Sequence, residues 1–398
     1  MKNKIIILIC VLFLICSCSS VNTTINIQKL QFDTSKSKII DVNEAIENYD
    51  EYFFIEDLVD TIKLIQLETT EESLVGDIYE IKMSDNYIYI FDDFNRGSVI
   101  IFDKNGKFVK RISTGNGPGE IDFVVRIMYD EINKFLFVYQ YGKISKYSET
   151  GVFIKDYQID YYVTDFIAYK NGYICFQDEG QSFIRKYTIN FTDSSFNILR
   201  TKYLEDENNI RTCFPNSISY DDNNCINFVR MSDNSVYNIN DTTISKKYIL
   251  NFDKHEREII KDKYISDIEF YQTGEIDKYI FQAELLEVSN YLYFTLNDYR
   301  GNHLMIYYNK NTKKIKCGNL KNIDKGLLND VVLISHEIGV YNDYYVSVFD
   351  SDINPFNYNI DYNEKNSHPK IANYVDMLKN FKDDDNPIIV MYKLKDIE

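Results

Sequence analysis

The one glycine-dense run, Gly115-Asn116-Gly117-Pro118-Gly119-Glu120, is the first place to look for chemistry, because such runs can wrap phosphates in backbone amides. It has no Lys-Ser/Thr tail and no G-x-G-x-x-G spacing, so it is neither a P-loop nor a dinucleotide fingerprint. Its expected role is structural: Gly115, Gly117 and Gly119 supply positive φ in a tight turn, and Pro118 fixes the entry. His336-Glu337 begins like a zinc-protease helix, but Val340 occupies the place of the second histidine. No G-x-S-x-G elbow occurs. Asp92-Asp93, Asp221-Asp222 and Asp383-Asp384-Asp385 offer the oxygen donors that calcium prefers, yet acidic runs of this kind are also ordinary in solvated turns. The sequence therefore points to no catalytic residue and no cofactor, and leaves the metal content open.

The elements that position these residues begin with the N-terminus. A basic Met1-Lys2-Asn3-Lys4 precedes an apolar run over residues 5–15, too short to span a bilayer, which reads as an export signal. It ends in Ile15-Cys16-Ser17-Cys18, which resembles the bacterial lipoprotein processing box, with Cys18 as the lipidated residue. Cleavage before Cys18 removes Lys2 and Lys4 and takes the formal charge from −17 to −19. The acyl chains would then attach the protein to a membrane, since each buried methylene contributes on the order of 0.8 kcal/mol. With 61 acidic against 44 basic side chains, the surface is unsuited to tracking phosphates, and nucleic acid is excluded as a partner. Cys175, Cys213, Cys225 and Cys317 follow without a Cys-x-x-Cys pair. They fit buried thiols best, with a disulfide between Cys213 and Cys225 as the alternative.

From residue 59 one pattern returns: a strand rich in Tyr, Ile and Phe, a polar turn, a second strand, a hairpin and a third strand. Its copies cover residues 85–112, 134–157, 172–199, 224–252, 290–318 and 342–394. The first is punctuated by Asp103-Lys104-Asn105-Gly106 and the second by Ser148-Glu149-Thr150-Gly151. Such periods are those of propeller blades. The expected fold is all-β, a six-bladed β-propeller of four-stranded antiparallel blades. Residues 61–68 form an extended segment that would complete the sixth, strand-deficient copy and bury both edges. The organisation is then a signal peptide over 1–17, a tether and lead-in over 18–58, and the propeller over 59–398. Short helices are expected on the rim around residues 255–265 and 373–382.

The chain resembles the six-bladed β-propeller lipoproteins common in Bacteroidetes, which are related in architecture to NHL-repeat propellers. The marks that carry the resemblance are Leu67-Glu68-Thr69-Thr70, Leu74-Val75-Gly76-Asp77-Ile78 and Phe102-Asp103-Lys104-Asn105-Gly106-Lys107-Phe108. They continue in Gly115-Asn116-Gly117-Pro118-Gly119-Glu120 and the closing Asp385-Asn386-Pro387-Ile388-Ile389-Val390. Ile121 stands where the family usually has an aromatic. The resemblance implies a fold and an extracytoplasmic location, not an activity.

In such a ring, the loops joining the second to the third strand of every blade share one face. Aligning the copies places Asp92, Asp93, Asn95 and Arg96 there, with Tyr141, Asp178, Glu179, Arg230, Asp233, Asp298, Tyr299, Arg300, Asp350 and Asp352. The turn carrying Glu120 opens on the same side. Arg and Tyr are the side chains that most often anchor interfaces. The expected function is therefore a non-catalytic binding or scaffold module, monomeric and lipid-anchored, placed at the outer membrane facing the periplasm, with a protein, peptide or glycan as partner. A calcium-dependent, lactonase-like hydrolase acting in the central channel is the alternative.

Overall fold

The computed structural model describes residues 26–29, 35–49, 58–94, 97–179, 185–206, 218–221, 225–229, 234–240, 243–251, 280–298, 303–319, 337–349, 369–382 and 384–396. Strands β1 (Asn26–Lys29) and β2 (Lys38–Asp41), a short helix α1 (Asn43–Glu47) and β3 (Val59–Gln66) come first. Blade 1 is β4 (Ile78–Met83), β5 (Tyr87–Asp92), β6 (Ser98–Asp103) and β7 (Phe108–Ile112). Blade 2 is β8 (Val124–Asp130), β9 (Phe135–Gln140), β10 (Lys143–Ser148) and β11 (Phe153–Gln158). Blade 3 is β12 (Asp165–Tyr169), β13 (Gly172–Glu179), β14 (Arg185–Thr192) and β15 (Ile198–Asp206). Blade 4 is β16 (Ile218–Tyr220), β17 (Ile226–Val229), β18 (Ser235–Asn240) and β19 (Thr243–Asn251). Blade 5 is β20 (Ile280–Glu287), β21 (Tyr291–Asp298), β22 (His303–Asn309) and β23 (Ile315–Asn319). Blade 6 has β24 (Glu337–Tyr341), β25 (Tyr344–Phe349) and β26 (Ile388–Leu394), and β3 pairs antiparallel with β26 as its outermost strand. The molecule is the expected six-bladed propeller, closed by its N-terminal strand.

Buried apolar residues form six clusters, and each fills one gap between neighbouring blades. This arrangement explains the long apolar runs. In β9, Leu136 and Val138 pack towards blade 1 while Phe137 and Tyr139 pack towards blade 3, so both faces of the strand are buried and polar alternation disappears. Each such side chain stabilises the ring by roughly 1.5–3 kcal/mol. Aromatic contacts bind the gaps further, as where the Phe137 ring of blade 2 meets the Tyr173 ring of blade 3 edge-on at 5.1 Å.

The lead-in contains ordered strands. β1 pairs in parallel with β15 on the outer edge of blade 3, and β2 does the same with β19 on blade 4. Helix α1 then lies beside β23 of blade 5, with Ala45 and Ile46 in the gap between blades 4 and 5. β1, β2, α1 and β3 thus lie in turn on blades 3, 4, 5 and 6. A 3-10 turn (Pro369–Tyr374) leads into helix α2 (Val375–Asn380), where a rim helix was expected, and Ile371, Val375 and Leu378 are buried. The other expected helix, at 255–265, lies outside the described residues.

The seam between blades 6 and 1 is closed by one side chain. Asn386 Oδ1 accepts from the Val75 amide at 2.8 Å, and Nδ2 donates to the Glu68 and Ser73 carbonyls, each at 2.8 Å. Glu68 in turn accepts from the Phe108 amide at 2.9 Å, and its own amide donates to the Gly106 carbonyl at 2.8 Å. Gly106 has φ +83°, and a Cβ there would stand 2.0 Å from the Gln66 carbonyl, so this hairpin docks only with glycine. Cys175 and Cys317 are buried and Cys225 partly so, all three as thiols; Cys213 lies outside the described residues.

Candidate functional site

Two faces and a channel follow from the ring. Turns joining second to third strands, and crossings from each fourth strand to the next blade, make the upper face. Turns joining first to second and third to fourth strands make the lower face.

On the upper face, Asp92 ends β5 almost fully buried. Its Oδ1 accepts from the amides of Gly76, Asp77 and Phe94 at 3.2, 2.8 and 3.2 Å. Its Oδ2 faces the Arg111 guanidinium at 3.4 Å. Arg111, which the sequence reading passed over, also donates to Ser98 Oγ at 2.7 Å and to the Glu72 and Leu74 carbonyls. The carboxylate and guanidinium together hold the crossing of residues 72–77 onto blade 1. Asp93 beside it is exposed, and burial followed by the charges of Asp77 and Asp92 raises its pKa.

Glu120 is exposed and folds back on its own turn, where Oε2 accepts from the Gly117 amide at 2.7 Å. A Cβ at Gly115 would stand 2.1 Å from that oxygen, and Gly119, at φ +80°, leaves no room for one against Phe153. The run is a tight turn, but of its three glycines only Gly119 has the expected positive φ; Gly115 and Gly117 are needed instead for the room they leave to the Glu120 carboxylate. Pro118 is exposed between these glycines.

Of the other upper-face residues named from sequence, Asp178, Glu179 and Asp298 occupy the ends of β13 and β21, with side chains outside the description. Arg96, Arg230, Tyr299, Arg300 and Asp350 lie outside the described residues, as do Asn95, Asp233 and Asp352. Beside the exposed Asp93 and Glu120, the face displays large apolar side chains. Phe94, Phe123 and Tyr141 are 62%, 53% and 67% exposed, and Leu74, on the crossing from β3 to β4, is exposed as well. The Tyr141 ring stacks on Tyr162 at 5.9 Å, across the turn of blade 2 and the crossing to blade 3. Phe123 is held at φ +51°, an uncommon backbone conformation for an aromatic residue.

The channel encloses about 570 Å³ and is lined from all six innermost strands. Two charged clusters stand in its wall. Between blades 4 and 5, Lys247 Nζ lies 2.8 Å from Asp221 Oδ2 and 2.7 Å from Glu287 Oε2. Lys310 Nζ lies 2.9 Å from Glu287 Oε1, and Asn227 donates to Glu287 Oε2 at 2.6 Å. Burial opposes the charge on Lys247, but Glu287 and Asp221 outweigh it and raise the pKa.

Across blades 1 to 3 the second cluster is looser. Lys82 Nζ meets Glu80 Oε1 at 2.8 Å, and Glu80 Oε2 accepts from the Ile127 amide at 3.0 Å, tying blade 1 to blade 2. Arg126 is buried, donating to Tyr79 Oη at 2.6 Å and the Val125 carbonyl at 2.9 Å. Asp165 has one hydrogen bond among the described residues, from the Phe166 amide at 2.8 Å. Burial pushes its pKa up to about 6, with Glu80 raising it and Arg126 and Lys82 pulling it back.

A calcium centre in this channel would need several carboxylates turned towards one cation. Glu80, Asp221 and Glu287 are instead turned to lysine ammoniums, and no group of three or more His, Cys, Asp or Glu among the described residues is arranged to hold a metal. The described residues therefore do not fit that ion. No helix among them is long and apolar enough to cross a membrane.

A solved structure from Bacteroides fragilis, of a protein whose description proposes that it is exported, is similar over 90% of this chain and 100% of its own, with TM-score 0.67 and 17% identity. That likeness is one of fold. A member of the DUF4221 family from Bacteroides vulgatus covers 85% of this chain and 97% of its own at 11% identity and TM-score 0.49. No curated protein matches the sequence. The profile of a family described as a domain of unknown function, DUF4934, matches residues 37–393, from β2 through to β26, and the chain belongs to that family.

Proposed function

We propose that the chain is an exported envelope lipoprotein, anchored through Cys18, that acts as a non-catalytic binding or scaffold module through the upper face of blades 1 to 3. The observation that carries this reading is the set of exposed aromatic side chains, Phe94, Phe123 and Tyr141 on Tyr162, of which Phe94 sits on the turn that the buried Asp92 holds through its amide. Large apolar groups left in water on a preorganised surface are the mark of an interface, because their burial by a partner costs little further ordering. A protein, peptide or glycan suits such a surface, as aromatic faces accept either an apolar side chain or a sugar ring. The anchoring rests on the apolar leader and the processing box ending at Cys18, and the description of a protein of the same fold proposes that it too is exported.

A photocrosslinking residue at position 141, with another at Ile132 on the lower face as control, tests the surface in intact cells. A discrete adduct from position 141 that is lost in Phe94→Ser, with none from position 132, is expected. Equal labelling from both positions would overturn the reading. For the anchor, Cys18→Ala should move the protein from the membrane fraction to the soluble one.

A further inference from the structure

Read from sequence, residues 18–58 form a tether and lead-in. The fold shortens the tether, because β1 is already docked on blade 3, in parallel with β15 from Asn26↔Arg200 to Lys29↔Tyr203. Only the eight residues 18–25 lie between Cys18 and Asn26. Fully extended, they reach no further than about 26–29 Å. Whatever holds Cys18 therefore holds the outer edge of blade 3 close to it.

That edge has a composition of its own. Ile27 on β1 and Leu199 on β15 are 60% and 61% exposed. Ile27 is in register with Thr201, so it shares one face of the strand pair with Leu199, two residues back, and the two are diagonal neighbours. Apolar exposure continues along the rim to either side, in Ile154 on β11 of blade 2 and Ile39 on β2 of blade 4. The charges at the edge are Lys29, Arg200 and Lys202, and no carboxylate stands among the described side chains of β1 and β15. Glu205 and Asp206, at the far end of β15, are in register with Lys186 and Arg185 of β14. In a chain of net charge −17 this is a local reversal of sign.

Aliphatic side chains set among Lys and Arg are what a lipid–water interface accepts, the first below the headgroups and the second beside the lipid phosphates. We propose that the outer edge of blade 3, formed by β1 and β15, is the surface that lies against the membrane. It depends on the anchoring at Cys18 proposed above. Two side chains and three cations do not retain a protein on a bilayer by themselves. Beside an acyl anchor the contact is intramolecular, and it has only to select which part of the rim faces the lipid. The ring then stands on its rim, with blade 6 furthest from the bilayer and the upper face opening sideways to a partner.

Energy transfer tests this on the lipidated full chain in vesicles of phosphatidylethanolamine and phosphatidylglycerol that carry an acceptor on the headgroup. A fluorescent amino acid is placed at position 194, on the exposed turn before β15, or at position 379, on the exposed side of α2, which packs in the gap between blades 5 and 6 across the ring. Transfer from position 194 is expected to exceed that from position 379 several-fold. The ratio should fall by about half in Ile27→Ser/Leu199→Ser, which alters exposed side chains only and keeps the acyl anchor. Should that pair not fold, Lys29→Glu reverses a charge on the same edge and carries the test. Equal transfer from the two positions, or an unchanged ratio in the folded variants, would overturn the membrane-facing edge while leaving the anchor in place. A chain that the vesicles do not retain would refute the anchor, and this surface with it.

Discussion

On the blade 4 and 5 side of the channel, Lys247 and Lys310 close on Asp221 and Glu287 at 2.7–2.9 Å, and Asn227 takes up a further contact with Glu287. On the blade 1 to 3 side the same kinds of group are present, but among the described residues Asp165 accepts a single hydrogen bond, from a backbone amide, and burial pushes its pKa up to about 6. One wall satisfies its charges and behaves as a clamp between blades. The other sets Asp165 against Arg126 and Lys82 by charge, without a hydrogen bond to either among the described residues. Buried charge in a ring of this kind is therefore not one category: pairing distance, rather than composition, separates a carboxylate clamped in an ion pair from one held only by a backbone amide and a more distant charge.

The largest effect is expected where the clamp is broken. Lys247→Met leaves Asp221 and half of Glu287 buried without their ammonium, which should cost about 3–5 kcal/mol. Urea unfolding measures this directly. A loss below about 1 kcal/mol would show that water or Lys310 compensates, and the two walls would then no longer differ in kind.

Asn386→Ala should come next. It tests a second fully satisfied network, the blade 6 to blade 1 seam, where three hydrogen bonds to buried backbone are lost together. Each orphaned buried group costs about 1–3 kcal/mol, so a loss of about 3 kcal/mol with an unchanged propeller spectrum is expected by thermal melting and circular dichroism.

These networks mark the limit of what the sequence discloses. The blades were legible because their second and third strands are apolar on both faces, as in Leu136-Phe137-Val138-Tyr139, and because Asp103-Lys104-Asn105-Gly106 can only be a hairpin. The closing strand was legible as an extended segment facing a blade one strand short. The innermost strands were not, since β16 spans only Ile218–Tyr220, β24 contains Gly339, and their polar positions face the channel instead of alternating with a core. Asp165, Ser219 and Glu287 are single polar residues on three different blades, and ring closure alone brings them to one cavity. Likewise Glu68, Gly106 and Asn386 stood in separate motifs of the resemblance until the seam showed them to be one contact. Asp92, taken from its turn as a surface ligand, is placed by the structure inside that turn as its hydrogen-bond centre.

A smaller effect, of opposite sign, is expected on the looser wall. The folded pKa of Asp165 lies above its ordinary value of 3.8. Its ionisation therefore opposes folding, with no cost at pH below the ordinary value and a growing cost as pH rises through about 6. Asp165→Asn should raise stability at pH 7.5, on the order of 1 kcal/mol, with the gain vanishing near pH 4. Melting curves of both proteins across this window measure the difference, and a variant less stable at pH 7.5 would show that Asp165 is paired after all.

The smallest effect on stability belongs to the upper face. Tyr141 is 67% exposed and rests on Tyr162, so Tyr141→Ser removes one half of an exposed stack and should change stability by less than about 0.5 kcal/mol. The same substitution should abolish the crosslinked adduct formed from a probe at Phe123, because a binding face depends on the side chains that the fold does not need. Were Tyr141→Ser to unfold the protein by several kcal/mol, the stack would belong to the core of blades 2 and 3, and the exposed aromatics of the upper face would be support, like the clamp, instead of a surface kept for a partner.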